Sequence, residues 1–580
     1  MEPSSIIKVL EEIGTLLEIK GENPFKSNAY YKAARTLSSI DRLDQIIREK
    51  RLTEIEGIGE ALSQKIMEYY ETGAMAYYEE LKKEVPTCLL ELLQVPRLGP
   101  RKIRMLHREL GIMDLGELEY ACRENRLVSL AGFGEKTQAN ILKGIEFLKK
   151  HKGRYLFADV YPSAEEMRGR LAKALPGHRV ALCGSIRRRK EIIKDIDILA
   201  EGTDFEHVTS VFVSSAEVEE VLLRGDTKTS CRLVSGIEAD LRVVEEKAFP
   251  YALLYFTGSK EHNVKLRGVA KKRGWKLNEY GLFEEESLIA CRDEEEVYRA
   301  LGLSYIPPEL REDMGEVEAA AEDAIPRLVT FEDLRGTFHV HTSFSDGMDG
   351  LERMVEGARR MGFSYLGIAD HSKSAYYAKG LKPDDVRRQW EAIDGLREGY
   401  PDFHIFKGIE SDILPDGSLD YDDELLEGFD FVVASVHSGF TMKKEEMEAR
   451  IVRALENPYT TMLGHPTGRL LLSRDGYNVD MYRVIDKAAE NSVIIELNAS
   501  RYRLDIDWRY LKYAKERGVM VSINPDAHSA SGLGEIVYGV HIARKGWQES
   551  KDILNTRDVN DIKDTFKRLR YAKRHRVDHR

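Results

Sequence analysis

A chain of 580 residues with 42% apolar and 32% charged residues has the length for roughly three to five cored domains. Its mean hydropathy of −0.41, with no apolar run longer than stretches such as DFVVASV, excludes a membrane-spanning protein and any membrane partner. A net charge of −12 weakens the case for a nucleic-acid partner, but residues 101–200 hold 21 Lys and Arg against 13 Asp and Glu, a surplus of 8. Local stripes of charge, not totals, set a phosphate-binding footprint.

Residues 1–150 read as almost entirely helical, because apolar positions recur at helical spacing in IIKVLEEIGTLLEI and LSQKIMEYYETG. The opening stretch carries acids and no basic segment followed by a cleavage site, so a cytoplasmic protein is expected. Five cysteines (Cys88, Cys122, Cys183, Cys231 and Cys291) form no CxxC pair, which argues against a disulfide framework or a cysteine zinc site. Three elements, LTEIEGIGEALSQKI, LLQVPRLGPRKIRML and LVSLAGFGEKTQANIL, each join an apolar stretch to a helix through a glycine turn. One such turn is an ordinary capped helix connection. Three are better explained as a repeated element.

From about residue 155 strands and helices alternate: RVALCGS, DIDILAE, EADLRVV. In DIDIL, Asp195 and Asp197 stand two apart on a predicted strand and face the same way. Two carboxylates so placed repel unless cations lie between them. Two Mg²⁺ ions about 3.5–4 Å apart are the arrangement that serves in-line phosphoryl transfer. Asp240, on a later predicted strand, completes the set. Gly184 permits close backbone approach to a phosphate, Ser185 offers a hydroxyl and an N–H, and Arg188 offers a forked guanidinium. The alternative is a surface strand with ordinary ion pairs. The preceding Gly-Ser and the third aspartate favour the functional reading.

The pair Pro307-Pro308 ends this unit, and the acidic stretch after it reads as a linker with some helix. Beyond 335 the chain repeats strand and helix. GTFHVHT, YLGIADH, FHIFKGIE, FDFVVASVH, TTMLGHP, SVIIELN and VMVSINPDAH supply seven strands of a parallel (β/α) barrel. Six of them end in potential ligands: His339 and His341 with nearby Asp346, then His371, Glu410, His437, His465, and Asp526 with His528. Barrel strands converge at their C-terminal ends, where barrel enzymes place their chemistry. Nine nitrogen and oxygen donors suit two to three ions of Zn²⁺, Mn²⁺ or Fe²⁺. Glu496 and Asn498 on the sixth strand read as structural. Lys373 and Arg469 lie near ligand segments and are candidate phosphate contacts. The basic tail reads as a solvated helical end.

The strings GSIRR, DID, ADLR and YFTGSKEHNVKLRG resemble the nucleotidyltransferase core of the family X DNA polymerases, the group that contains eukaryotic polymerase beta. The likeness spans roughly residues 1–310. It implies that Asp195 and Asp197 bind two Mg²⁺ or Mn²⁺ ions. It further implies that Asp240 binds the catalytic ion and promotes attack by a primer 3′-hydroxyl, and that Ser185 and Arg188 hold the triphosphate. Tyr255, Phe256 and Gly258 match positions that contact the incoming sugar, Asn263 the base and Arg267 the template. Without the resemblance, Tyr255 and Phe256 would be core aromatics. The glycine turns resemble helix-hairpin-helix elements, with Gly57, Gly59, Gly99, Gly132 and Gly134 presenting backbone N–H groups to DNA phosphate. In the second copy Arg97 replaces the first glycine. Lys65 aligns with a Schiff-base lysine that removes 5′-deoxyribose phosphate, and Lys26 and Tyr30 align with its helpers, although Ala61 replaces a further lysine.

Residues 336–575 resemble the PHP (polymerase and histidinol phosphatase) domain, with all nine ligand positions present, which implies a metal-dependent phosphoesterase. The expected architecture is multidomain α and α/β. It comprises an N-terminal helical region (1–90), a helix-hairpin-helix subdomain (91–153), a palm with a mixed sheet (154–250), a nucleotide-selection subdomain (251–315), a linker (316–335) and a (β/α)7 PHP barrel (336–575). The expected activity is short-gap filling in DNA repair with 3′-5′ exonuclease and AP endonuclease functions. Gapped or nicked DNA and dNTPs are the expected partners of a monomer. Two rivals are a metabolite phosphatase with an accessory nucleotidyltransferase, for which the hairpin repeats have no purpose, and an inactive DNA-end scaffold, for which twelve intact ligand positions have none.

Overall fold

A computed structural model describes residues 3–38, 40, 43–55, 57–96, 98–149, 153–225 and 227–577. The chain forms two compact units, Met1–Leu148 and Lys149–Arg580. Among the described residues no helix is long and apolar enough to cross a membrane.

The first unit is helical. Its principal helices are α1 (Pro3–Lys20), α2 (Pro24–Ser38), α3 (Glu60–Thr72), α4 (Pro100–Leu110) and α5 (Glu135–Lys149). Their apolar stripes meet in one core, in which Leu10, Leu17, Ala34, Ile66, Ile103 and Ile145 are buried. Ahead of α3 and α5, Gly57 and Gly132 take φ of +92° and +85°, a conformation that costs other residues about 1–2 kcal/mol. Gly59 and Gly99 then sit extended at the N-caps of α3 and α4 without a side-chain cap. The space beside Gly59, Gly99 and Gly134 is open. Arg97 lies outside the described residues.

The second unit begins with a five-stranded mixed sheet. Its strands are β1 (Val180–Leu182), β2 (Asp195–Glu201), β3 (Val218–Arg224), β4 (Lys228–Leu233) and β5 (Glu238–Val244), in the order β1-β2-β5-β4-β3. Only the β2–β5 pair is parallel. Helices α6 (Phe157–Ala174) and α8 (Phe205–Val213) cover the sheet through Met167, Leu171 and Phe212, and the short helix α7 (Gly184–Arg187) follows β1. Next come α9 (Phe249–Thr257) and α10 (Lys260–Lys272), with a small antiparallel sheet over 275–288, around Tyr251, Leu266 and Tyr298.

The acidic stretch expected as a linker is firmly packed. Val317, Ala320 and Leu328 join the same core. The buried Glu316 carboxylate pairs with His262 Nδ1 at 2.7 Å and accepts the Met314 N–H at 2.7 Å.

Seven parallel strands follow: β6 (Gly336–Val340), β7 (Tyr365–Ile368), β8 (His404–Asp412), β9 (Phe431–Ser435), β10 (Met462–Leu463), β11 (Ile494–Asn498) and β12 (Val521–Asn524). They neighbour one another in sequence order. A parallel bridge between Val340 and Ala527 draws the ends together, and the His341 N–H donates to the Ala527 carbonyl at 2.9 Å. Parallel strands packed on both faces must be apolar nearly throughout, as FVVAS is. Phe338 and Phe431, with ring centroids 5.1 Å apart, pack against Phe566 of the C-terminal helix Val559–Val577. This aromatic packing belongs to one side of the strands, and the histidines cluster at the strands' C-terminal ends.

Candidate active sites

In the palm, β2 and β5 pair in parallel with Asp197 opposite Asp240 and Asp195 opposite Glu238. The sheet therefore assembles the three aspartates expected from the sequence. Burial, followed by the charges of Asp195 and Asp240, pushes Asp197 up to about 7. Burial and Asp240 likewise push Asp195 up. Asp240 is held by Lys228 at 2.6 Å and by the Ser230 hydroxyl at 2.5 Å. Three carboxylates brought together in this way make a hard oxygen donor set, and divalent cations fit it.

Gly184 has φ of +59°, and an added Cβ would lie 2.0 Å from Asp197 Oδ2. The close neighbour demanding glycine here is thus the aspartate itself. Ser185 follows it in α7. The Arg188 guanidinium donates from Nε to Glu312 at 3.0 Å and from Nη1 to the Thr257 carbonyl, and lies beside Gly258 (φ +68°). Tyr255, Asn263 and Arg267 line one small cavity with Tyr251 and Leu277, and Asn263 Nδ2 donates to the Tyr255 carbonyl at 2.7 Å. Phe256 meets Tyr255 edge-on and lies 4.4 Å from the Arg242 guanidinium.

At the barrel mouth three sets of side chains offer ligand atoms within 4.8 Å of one another: His341, Asp346, His371 and His528; His339, His341 and Asp526; His371, Glu410 and His437. His465 joins them through Nε2, 3.0 Å from Glu410 Oε1. All nine expected ligands therefore fall in one cluster. Within it His465 Nδ1 is buried without a hydrogen bond, and other buried ligand atoms crowd against one another, His371 Nδ1 lying 2.8 Å from Glu410 Oε2 and His339 Nε2 3.2 Å from Glu410 Oε1. Buried polar atoms so crowded are costly unless a cation takes them up, so the residues fit divalent metal ions. His341 is pushed down to about 3 by burial and by His528 and His371, which keeps it in the neutral, metal-binding form. Three ligands, His339, His465 and Asp526, have positive φ (+53°, +22° and +52°). Strain of this kind, about 1–3 kcal/mol each, concentrates at functional sites.

Two residues read from the sequence as structural contact these ligands. Glu496 accepts from His339 Nδ1 at 2.6 Å and from the His465 N–H at 2.6 Å. Asn498 donates to Asp526 at 3.0 Å. Asp412, which sequence reasoning missed, pairs with His437 Nδ1 at 2.5 Å. Asp370, also missed, accepts from the Thr342 N–H at 2.7 Å and from Ser345. For Glu496 and Asn498 the available signal was two polar residues, alternating, on the otherwise apolar strand IIELN; buried polar groups require partners. Arg469 is not held open for phosphate: its guanidinium engages Asp507 at 2.5 Å and the Arg503 carbonyl at 2.9 Å. Lys373 Nζ lies 5.5 Å from the Tyr421 ring centroid.

In the first unit Lys65 Nζ donates to the Tyr30 hydroxyl at 2.7 Å and lies 3.6 Å from the Tyr77 ring centroid. Lys26 Nζ approaches the same ring at 5.7 Å. Burial and the Lys26 charge push the Lys65 amine down. The three residues aligned with a lyase pocket thus stand together.

Family models match four segments: a helix-hairpin-helix domain at residues 1–75, a SAM-like helix-hairpin-helix tandem at 89–146, the DNA polymerase beta thumb at 252–312 and a PHP domain at 337–524. The chain is 37% identical over 572 residues to the DNA polymerase/3′-5′ exonuclease PolX of Bacillus subtilis, covering 98% of this chain and 100% of that protein. Repair DNA polymerase X of African swine fever virus is 31% identical over 158 residues, 26% of this chain and 89% of the viral protein. A probable phosphatase of Caldanaerobacter subterraneus is 28% identical over 244 residues, 39% of this chain and 88% of that protein. With a near full-length relative of this kind, and with a palm and a histidine-lined barrel in the same chain, the protein belongs to the family X DNA polymerases that carry a C-terminal PHP domain.

Proposed function

We propose that the protein is a DNA-directed DNA polymerase that fills short gaps during repair, and that its barrel is a metal-dependent 3′-5′ exonuclease acting also at abasic sites. The observation that carries this reading is the presence in one chain of two separate donor clusters, Asp195, Asp197 and Asp240 on paired palm strands and nine side chains at the barrel mouth.

In the palm, Asp195, Asp197 and Asp240 hold two Mg²⁺ or Mn²⁺ ions, which supply charge neutralisation and a lowered pKa for the attacking hydroxyl. Asp240 faces the 3′-hydroxyl, Ser185 and Arg188 hold the triphosphate, and Gly184 keeps the backbone clear of Asp197. Tyr255, Phe256 and Gly258 contact the sugar of the incoming dNTP, Asn263 its base, and Arg267 the template. In the barrel His339, His341, Asp346, His371, Glu410, His437, His465, Asp526 and His528 hold two to three Mn²⁺, Zn²⁺ or Fe²⁺ ions, with Glu496 and Asp412 fixing the His339 and His437 rings. Gly57, Gly59, Gly99, Gly132 and Gly134 present N–H groups to the phosphates of gapped or nicked DNA without reading sequence. Lys65, with Lys26 and Tyr30, removes 5′-deoxyribose phosphate through a Schiff base. A cytoplasmic monomer completes the reading.

The test is a 5′-labelled primer on a one-nucleotide-gapped duplex with Mg²⁺ or Mn²⁺. Extension with dNTPs and shortening without them support both activities. No extension under either metal rejects the polymerase assignment. A metabolite phosphatase, the rival reading, would hydrolyse small phosphomonoesters and leave this duplex untouched. It would also lack the steep loss of DNA affinity with salt that phosphate contacts impose.

A further inference from the structure

Arg188 is gripped from outside the palm. Lys545 closes helix α11 (Ile536–Lys545), which follows the last barrel strand. Its side chain is fully buried, and its ammonium donates to Glu312 Oε1 at 2.6 Å, to the Arg188 carbonyl at 3.1 Å and to the Glu309 carbonyl at 3.3 Å. The Trp508 ring lies 4.6 Å below it. Glu312 Oε1 is also the acceptor for Arg188 Nε. One carboxylate oxygen is therefore shared between a barrel lysine and the palm arginine aligned with triphosphate binding, and the same lysine fixes that arginine's backbone.

Sharing sets a competition. A buried carboxylate whose sole strong partner is Arg188 would hold the guanidinium as a charge-assisted pair. An incoming triphosphate would then have to break that pair. With Lys545 supplying a second positive charge at 2.6 Å, Glu312 is already neutralised. Arg188 keeps its orientation through Nε on Glu312 and Nη1 on the Thr257 carbonyl, and among the described residues Nη2 takes no hydrogen bond. Lys190, 3.8 Å from Glu312 Oε2, adds a more distant charge.

We propose that Lys545 is a positioning residue for nucleotide binding: by sharing Glu312 and holding the Arg188 carbonyl, the barrel domain keeps the palm arginine available to the triphosphate. The inference rests on the polymerase reading above. It makes the barrel part of the nucleotide site without any barrel residue touching the nucleotide.

The test is steady-state gap filling by the full-length chain, with the barrel's nuclease activity and the melting temperature of each variant as folding controls. Lys545→Met is expected to raise KM for dNTP about tenfold with little change in kcat, the scale of one charge-assisted contact. Lys545→Met combined with Glu312→Gln is expected to bring KM back toward the wild-type value, which a merely structural defect would not do. An unchanged KM in folded Lys545→Met, or a double variant as impaired as the single one, overturns the proposal. If Lys545→Met does not fold, Glu312→Gln alone decides: a KM at or below wild type supports competition by Glu312, and a several-fold rise contradicts it. Failure of the wild type to extend the primer at all would instead refute the polymerase reading.

Discussion

A Cβ at residue 184 would fall 2.0 Å from the Oδ2 of Asp197. Because Gly184 also has φ of +59°, substitution there is opposed by backbone strain and by a clash with the half-buried Asp197 carboxylate. Gly184→Ala is expected to displace Asp197 and lower kcat for primer extension by about 100-fold, the scale of an ångström of misplacement at a reacting centre. Barrel nuclease activity serves as the internal control. A variant extending primers at the wild-type rate would show that Asp197 tolerates displacement.

Glu496 holds His339 by its Nδ1 at 2.6 Å and His465 by its backbone N–H at 2.6 Å. Glu496→Gln keeps the shape and removes the charge. Outer carboxylates that orient metal-binding histidines are typically worth about 10–100-fold in metal affinity or activity. The expected result is a drop of that size in nuclease rate and in Mn²⁺ affinity measured by calorimetry, with gap filling unchanged. Unaltered Mn²⁺ affinity would reduce Glu496 to a packing role.

The Lys65 amine is pushed down by burial and by Lys26, so a larger share of it is neutral and nucleophilic near pH 7 than of an ordinary lysine. Removing the cation in Lys26→Ala moves the value back up. Borohydride trapping of a 5′-deoxyribose phosphate end should then shift toward alkaline pH and weaken at neutral pH, while Lys65→Arg should abolish it. A pH profile identical in Lys26→Ala and wild type would assign the trapping to another amine.

Much of this architecture is legible in the residues because each signal has one physical cause. DIDIL and EADLRVV identify paired strands, since alternation puts acids on one face. The histidines ending barrel strands identify a mouth, since parallel strands converge there. The reading stops where meaning depends on a distant neighbour. Glu496 looks like a strand residue until His339, 157 positions away, is brought against it. Lys545 looks like a helix-end cation until Glu312 and Arg188 enclose it. The stretch after 315 suggests a linker because it is acidic, yet Val317 and Ala320 carry it into a core. Arg469 looks available to phosphate until Asp507 takes its guanidinium.

The central claim is that one chain holds two independent active sites, and the most direct measurement pairs two variants on one substrate. Asp197→Ala and His341→Ala, each verified as folded, are followed on the labelled one-nucleotide-gapped duplex with Mn²⁺. The account predicts that Asp197→Ala stops extension and still shortens the 3′ end, and that His341→Ala extends normally and no longer shortens it. Loss of both activities in either folded variant would contradict it.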